Sequence, residues 1–176
     1  SPSAGNEGYA AMKERRYDVC VVGGLGHVGL PLGLSFAQAG KRVVLYDIDK
    51  PALETVSRGE MPFMEAGAEP VLRAVLGKTL SLSSDKQVIA QSHFIVVVIG
   101  TPVDDHLNPK FTLFKDFFDE IMDVIDSDQH IILRSTVYPN TTELIKRYLE
   151  SRDKKVKVSF CPERIAEGHA LEELQT

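Results

Sequence analysis

The run YDVCVVGGLGHVGLPLG, Tyr17 to Gly33, decides the fold. YDVCVV is a short apolar strand and GGLGHVG a glycine-rich turn. LPLGLSFAQAG reads as a helix with Leu30, Leu34 and Ala37 on one face and Gly40 as its stop. Pro31 comes late for a first turn, so this helix is expected to kink there or to start late. Strand, turn and helix in immediate succession are the first half of a βαβ unit.

The same alternation continues outward. RVVLYD is a second strand. DKPALETVSRG is a second helix, with Pro51 near its start and Gly59 just past its end. EMPFMEAGAEPVLRAVLGK reads as a loop and then a helix. TLSLSS is a weak strand and DKQVIAQS a short helix. HFIVVVIG is a strand apolar on both faces, and LFKDFFDEIMDVI an amphipathic helix. HIILRST, TTELIKRYLES with its Thr cap, and VKVSF complete the series as strand, helix and strand. Continuously apolar strands alternating with helices predict an α/β fold. Right-handed crossovers make it a doubly wound, Rossmann-type, mostly parallel sheet with helices on both faces. The 176 residues suffice for one domain, expected over 17–176, after a disordered or added lead-in at 1–16 that does not begin with Met.

Composition removes several function classes. The net charge of -5 argues against a nucleic-acid surface, and the basic runs MKERRYD and SRDKKVKV are short and mixed with acids. No apolar run approaches the ~18 residues of a membrane span, and the polar start has no signal-peptide pattern. Two Cys without such a signal point to free thiols in a reducing compartment, the cytoplasm. The five His have no metal-ligand spacing with each other or with the Cys, so no metal is expected.

Gly24 to Gly29 fits G-x-G-x-x-G. Alone this is a weak signal, but it follows a strand and opens a helix. Gly24 would permit the tight turn, Gly26 would let backbone approach a pyrophosphate, and Gly29 would let helix and strand meet closely. The helix N-terminus then offers N–H groups to the phosphates. Asp47 ends the second strand about 20 residues on, where a carboxylate takes the ribose hydroxyls and repels a 2′-phosphate. That favours NAD over NADP. Arg42, at the other end of that strand, is not placed to rescue NADP. A structural turn with a capping Asp is the bland alternative. His27 is a first-turn residue whose ring flanks the cofactor rather than a catalytic group.

In a doubly wound sheet, function gathers at the carboxyl ends of the strands. Strand four leads to Thr101 and Pro102, strand five to Ser135 and Thr136, and strand six to Cys161, Glu163, Arg164 and Glu167. A Thr at a strand end is often only a cap or turn residue. Three such ends together with the glycine loop are hard to explain as turns. Cys161 stands beside Glu163, and a carboxylate raises a thiol pKa, so it is a poor nucleophile. Cys20 reads as a buried core thiol.

The segments GLGHVGLPLG, LYDIDK, MPFMEAG, VIGTPVD, RSTVYPNTTE and CPERIAEGHALEEL resemble, in order, the N-terminal part of the nucleotide-sugar 6-dehydrogenases. That family includes the UDP-glucose, UDP-N-acetylmannosamine and GDP-mannose enzymes. The resemblance implies a four-electron oxidation of a C6 alcohol to a carboxylate with two NAD, by way of a thioester on an enzyme Cys. It implies that Leu25, His27 and Val28 contact the NAD pyrophosphate region and that Asp47 holds the adenine ribose. It places Thr101, Pro102, Ser135 and Thr136 near the nicotinamide half. It makes Thr136, Glu163 and Glu167 catalytic, and Glu163, Arg164 and Ile165 contacts to the sugar nucleotide. The nucleophilic Cys, its Lys and the sugar-nucleotide domain are implied to lie downstream, beyond a central helix. The chain is therefore expected to be a cofactor half, inactive alone, of an enzyme that is a homodimer or higher. Arg164 and Ile165 lean towards a UDP-N-acetyl hexosamine over UDP-glucose. Two alternatives stay open: a hydroxyacid or hydroxyacyl NAD dehydrogenase, and a non-catalytic NAD-sensing module.

Overall fold

A computed structural model describes residues 14–98, 111–134 and 141–160 of the chain. The elements in order are β1 (Tyr17–Val22), α1 (Gly29–Gln38), β2 (Val43–Tyr46), α2 (Lys50–Ser57), α3 (Ala68–Val75), β3 (Leu80–Ser83), α4 (Gln87–Ala90), β4 (Ser92–Val97), α5 (Phe111–Ile121) with a 3-10 turn at Met122–Val124, β5 (His130–Leu133), α6 (Thr141–Ser151) and β6 (Lys157–Phe160). The strands form one six-stranded sheet in the order β3-β2-β1-β4-β5-β6. Every neighbouring pair is parallel. The doubly wound sheet expected from the apolar strands is the one observed.

Strand alternation explains the two cores. Val19 and Val21 of β1 belong to one buried cluster, with Leu30, Phe36, Leu45, Val56, Leu72 and Leu80. Cys20 and Val22 face the opposite way and join a second, with Ile89, Ile95, Phe118, Ile121, Ile145 and Leu149. Helices α1, α2 and α3 supply the first cluster, and α4, α5 and α6 the second. Because both faces are covered, the central strands read as unbroken apolar runs rather than alternating ones. Each such buried Val or Leu contributes about 1.5–3 kcal/mol relative to exposure.

Helix α1 departs from its expected form in two ways. It starts at Gly29, so Pro31 falls inside the first turn, where its missing N–H would have had no intrahelical partner. Neither a late start nor a kink at Pro31 is required. The buried side is also wider than one face, since Leu32, Gly33 and Phe36 are buried along with Leu30, Leu34 and Ala37. Helix α2 begins as its sequence suggests: the Asp49 side chain accepts from the Ala52 N–H at 3.1 Å, and Pro51 stands in the first turn.

Of the lead-in expected at 1–16, residues 14–16 are described. Arg15 is buried, and its guanidinium pairs with Asp128 at 2.5 Å and donates to the Ala90 carbonyl. Arg15 therefore ties the start of the domain to the α4 end and to the turn before β5.

Candidate functional site

The strand order reverses between β1 and β4, and the glycine loop leaves β1 at that point. Val98, just past β4, donates to the Val22 carbonyl at 2.9 Å, holding the two strand ends together. Crevices at such switch points, outside the carboxyl ends of the strands, are where ligands bind in open α/β sheets.

The loop's glycines divide by what they serve. Gly23, one residue ahead of the motif, has φ +78° and carries the left-handed turn. A Cβ there would also lie 2.6 Å from the Val98 carbonyl oxygen. The tight turn thus belongs to Gly23, not to Gly24 as the motif spacing implied. A Cβ on Gly24 would lie 2.8 Å from the Leu45 Cβ, so Gly24 is what lets the loop press against β2. A Cβ on Gly29 would strike the Gly23 carbonyl oxygen at 2.3 Å, which makes Gly29 the close contact between helix start and loop. Gly33, one turn further along α1, has the same relation to Leu45 at 2.4 Å. Gly26 differs from all of these. A Cβ there would meet only the Gly23 carbonyl oxygen, at an ordinary 3.6 Å. The protein's own packing does not need a glycine at 26, and the residue is exposed.

Asp47 is joined to this loop directly. One carboxylate oxygen accepts from the Leu25 N–H at 3.0 Å, and the other accepts from the Asp49 N–H at 3.1 Å. The Gly23 and Gly24 N–H groups both donate to the Tyr46 carbonyl, at 3.0 and 3.1 Å. The end of β2 therefore grips the loop through three amides. The amides of His27, Val28 and Gly29 have no hydrogen-bond partner among the described residues, and no side chain caps the helix at Val28. The outcome is a bare-backbone loop and a helix N-terminus with unpaired donors, beside a fixed carboxylate. These features suit a pyrophosphate and a ribose diol.

Arg42 sits at the opposite end of β2 and is engaged there. Its guanidinium lies 2.9 Å from the Asp18 carboxylate. Partial burial opposes ionisation of Asp18, but the Arg42 hydrogen bonds outweigh it and hold the carboxyl below its usual range. Cys20 is fully buried in β1, and burial pushes its thiol pKa up, so the thiolate is not accessible. Among the described residues no group of three or more His, Cys, Asp or Glu is placed to hold a metal ion.

The residues expected at the other strand ends follow β4, β5 and β6 in the chain. Thr101, Pro102, Ser135, Thr136, Cys161, Glu163, Arg164, Ile165 and Glu167 lie outside the described residues. Two contributors escaped the sequence reading. Gly23 was signalled by the double glycine at the strand end. Phe63, in MPFMEAG, stacks on His27 of the loop, and no spacing rule connects them.

The sequence profile described as "UDP-glucose/GDP-mannose dehydrogenase family, NAD binding domain" matches residues 17–176. The chain belongs to this family. As its NAD-binding domain, the chain takes NAD as cofactor. The UDP-N-acetyl-D-mannosamine dehydrogenase of Methanococcus vannielii is 29% identical over 167 residues, which are 92% of this chain and 38% of that protein. The solved structure of the UDP-D-ManNAc dehydrogenase from Pyrococcus horikoshii has a TM-score of 0.74 at 27% identity, covering 89% of this chain and 38% of that one. A UDP-glucose dehydrogenase from Pyrobaculum islandicum gives 0.71 at 27% identity, covering 92% and 39%. The NAD-binding domain thus spans under two fifths of the length of these relatives. No helix among the described residues is long and apolar enough to cross a membrane.

Proposed function

We propose that the chain is the cofactor half of a cytoplasmic UDP-sugar 6-dehydrogenase that oxidises a C6 alcohol to a uronic acid. The observation that carries this reading is the junction of Asp47 with the Leu25 amide beside a glycine, Gly26, that the fold itself does not need. The junction presents a carboxylate to the ribose, and Gly26 leaves backbone open to the pyrophosphate. Leu25, His27, Val28 and Gly29 complete the proposed phosphate site, with Gly24 as its support.

Bound NAD supplies the hydride acceptor. The chain's own residues bind and orient it. The Asp47 carboxylate, fixed by the Leu25 and Asp49 amides, disfavours a 2′-phosphate, so NAD is preferred to NADP. Thr101, Pro102, Ser135 and Thr136 are proposed on its nicotinamide side. Thr136, Glu163 and Glu167 are proposed to position water and move protons, and Glu163, Arg164 and Ile165 to contact the sugar nucleotide. Relatives named for UDP-N-acetyl-D-mannosamine accord with an N-acetyl hexosamine as the sugar. The full enzyme is proposed to be a homodimer or higher, with the nucleophilic Cys and Lys outside these 176 residues.

Calorimetric titration of the chain with NAD, NADP and UDP-N-acetylmannosamine tests the reading. Binding of NAD, at least tenfold weaker NADP and no NAD reduction with the sugar nucleotide are expected. Equal NAD and NADP affinity would remove the role given to Asp47. Turnover by the chain alone would place the nucleophile within it.

A further inference from the structure

The segment between α2 and α3 lays an aromatic ring on the glycine loop. Phe63 stacks on His27 with ring centroids 4.2 Å apart and planes 26° apart. His27 is exposed, and it stands between bare Gly26 and Val28, in the part of the loop whose amides lack partners. The segment that brings Phe63 there is itself tethered. The Met61 N–H donates to the Glu69 carboxylate at 3.1 Å, and Arg73 Nε donates to the Gly59 carbonyl at 3.2 Å. Arg73 also pairs with Glu69 at 3.8 Å. The side chains of Met61 and Phe63 pack against the core cluster beneath α1. Phe63 is therefore anchored on one side and offers a ring face to the loop on the other.

A phosphate-binding loop gains affinity when its bound form exists beforehand, because ordering it on binding costs entropy. Asp47, Tyr46 and the glycine contacts fix the loop as far as Leu25 and from Gly29 onward, while the Gly26 N–H donates to the Gly23 carbonyl at 3.3 Å and the Gly26 and Val28 carbonyls accept from the Leu30 and Leu32 N–H groups at 3.0 and 3.2 Å. Between them, the stack on Phe63 is the contact that holds a side chain. We propose that Phe63 is a positioning residue for the dinucleotide, acting through His27 to hold the His27–Val28 backbone in its phosphate-binding arrangement. This rests on the NAD reading above. Phe63 need not touch the cofactor.

The test uses the 176-residue chain and three readouts: NAD affinity by calorimetry, thermal unfolding, and 15N order parameters of His27 and Val28 without NAD. Phe63→Leu keeps apolar bulk in the core and removes the ring face. It is expected to weaken NAD binding about three- to tenfold, the span that an aromatic pair contributes. The order parameters should fall from about 0.85 towards about 0.6, with little change in Tm. Phe63→Tyr should restore both. His27→Ala should show the same loss, and Phe63→Leu added to it should cost nothing further. Phe63→Leu binding NAD within twofold of the wild type would overturn the proposal while leaving the NAD reading intact. So would a loss that persists in full on the His27→Ala background. A wild-type chain that binds no NAD would overturn both. Should Phe63→Leu fail to fold, His27→Ala decides, since that side chain is exposed: equal affinity to the wild type rejects the proposal.

Discussion

Gly24 and Gly26 stand two residues apart in one loop, yet only Gly24 is required by the fold. A methyl at 24 meets the Leu45 Cβ and the Val21 carbonyl oxygen, both at 2.8 Å. Gly24→Ala should therefore destabilise by about 1–3 kcal/mol through overpacking. A lowered Tm in a thermal melt would show it. Gly26→Ala meets no such clash and should melt within about 2 °C of the wild type, since a Gly-to-Ala change at a compatible backbone is neutral to mildly favourable. Its NAD affinity should nonetheless fall tenfold or more by calorimetry, because in the proposed site the new methyl stands where backbone approaches the pyrophosphate. Undiminished NAD binding by Gly26→Ala would remove the reason for a glycine there. Asp47 carries a second residue-scale expectation. Its two oxygens accept from two amides, Leu25 and Asp49. Asn can accept with only one of its side-chain arms, so Asp47→Asn leaves one amide facing a donor. The change should cost about 1 kcal/mol in urea unfolding, and it should narrow the NAD-over-NADP preference in parallel titrations. An unchanged preference would separate the carboxylate from cofactor choice.

At the scale of elements, local chemistry decides each start and stop, and most of it was legible. The β1 strand, the loop, the Gly40 stop of α1 and the Asp49–Pro51 start of α2 all follow from residues within a few positions of each other. What was not legible depended on backbone values or distant partners. The motif spacing assigned the turn to Gly24, but a positive φ can sit on any glycine of GGLG, and it sits on Gly23. Pro31 was misjudged because the helix starts one residue earlier than its apolar pattern. Helix α2 offers the cleanest element-level check. Asp49 caps it by accepting from Ala52, with extended φ −76° and ψ 93°. Asp49→Ala should lose about 1 kcal/mol, lowering Tm by about 2–4 °C for a chain of this size. An unchanged melt would mean that packing of Ala52 and Val56, not the cap, sets where this helix begins.

Across the whole molecule, the sheet joins residues that no sequence window could pair. Arg15 reaches Asp128, and His130 of β5 reaches β6, its Nε2 lying 2.7 Å from the Ser159 hydroxyl. These contacts fix how the β5–β6 edge closes on the rest of the fold, and they give stability a pH dependence. Burial holds the His130 pKa below its ordinary 6.5, and the positive Lys157 opposite it in register adds to the effect. A folded-state pKa below the unfolded one means that the unfolded chain takes up a proton the folded chain refuses. His130 therefore leaves stability whole above pH 6.5 and lowers it as pH falls through the folded value. The Asp18 carboxyl, held below its ordinary 3.8, acts in the same direction but only in stronger acid. Among the described residues, the histidine is thus the group whose contribution should be visible between pH 7.5 and 5.5. Urea midpoints of the wild type should drop across that interval. His130→Gln retains a hydrogen-bonding partner for Ser159 and does not titrate, so its midpoint should drop less. Equal drops in both proteins would move the acid sensitivity away from the β5–β6 seam.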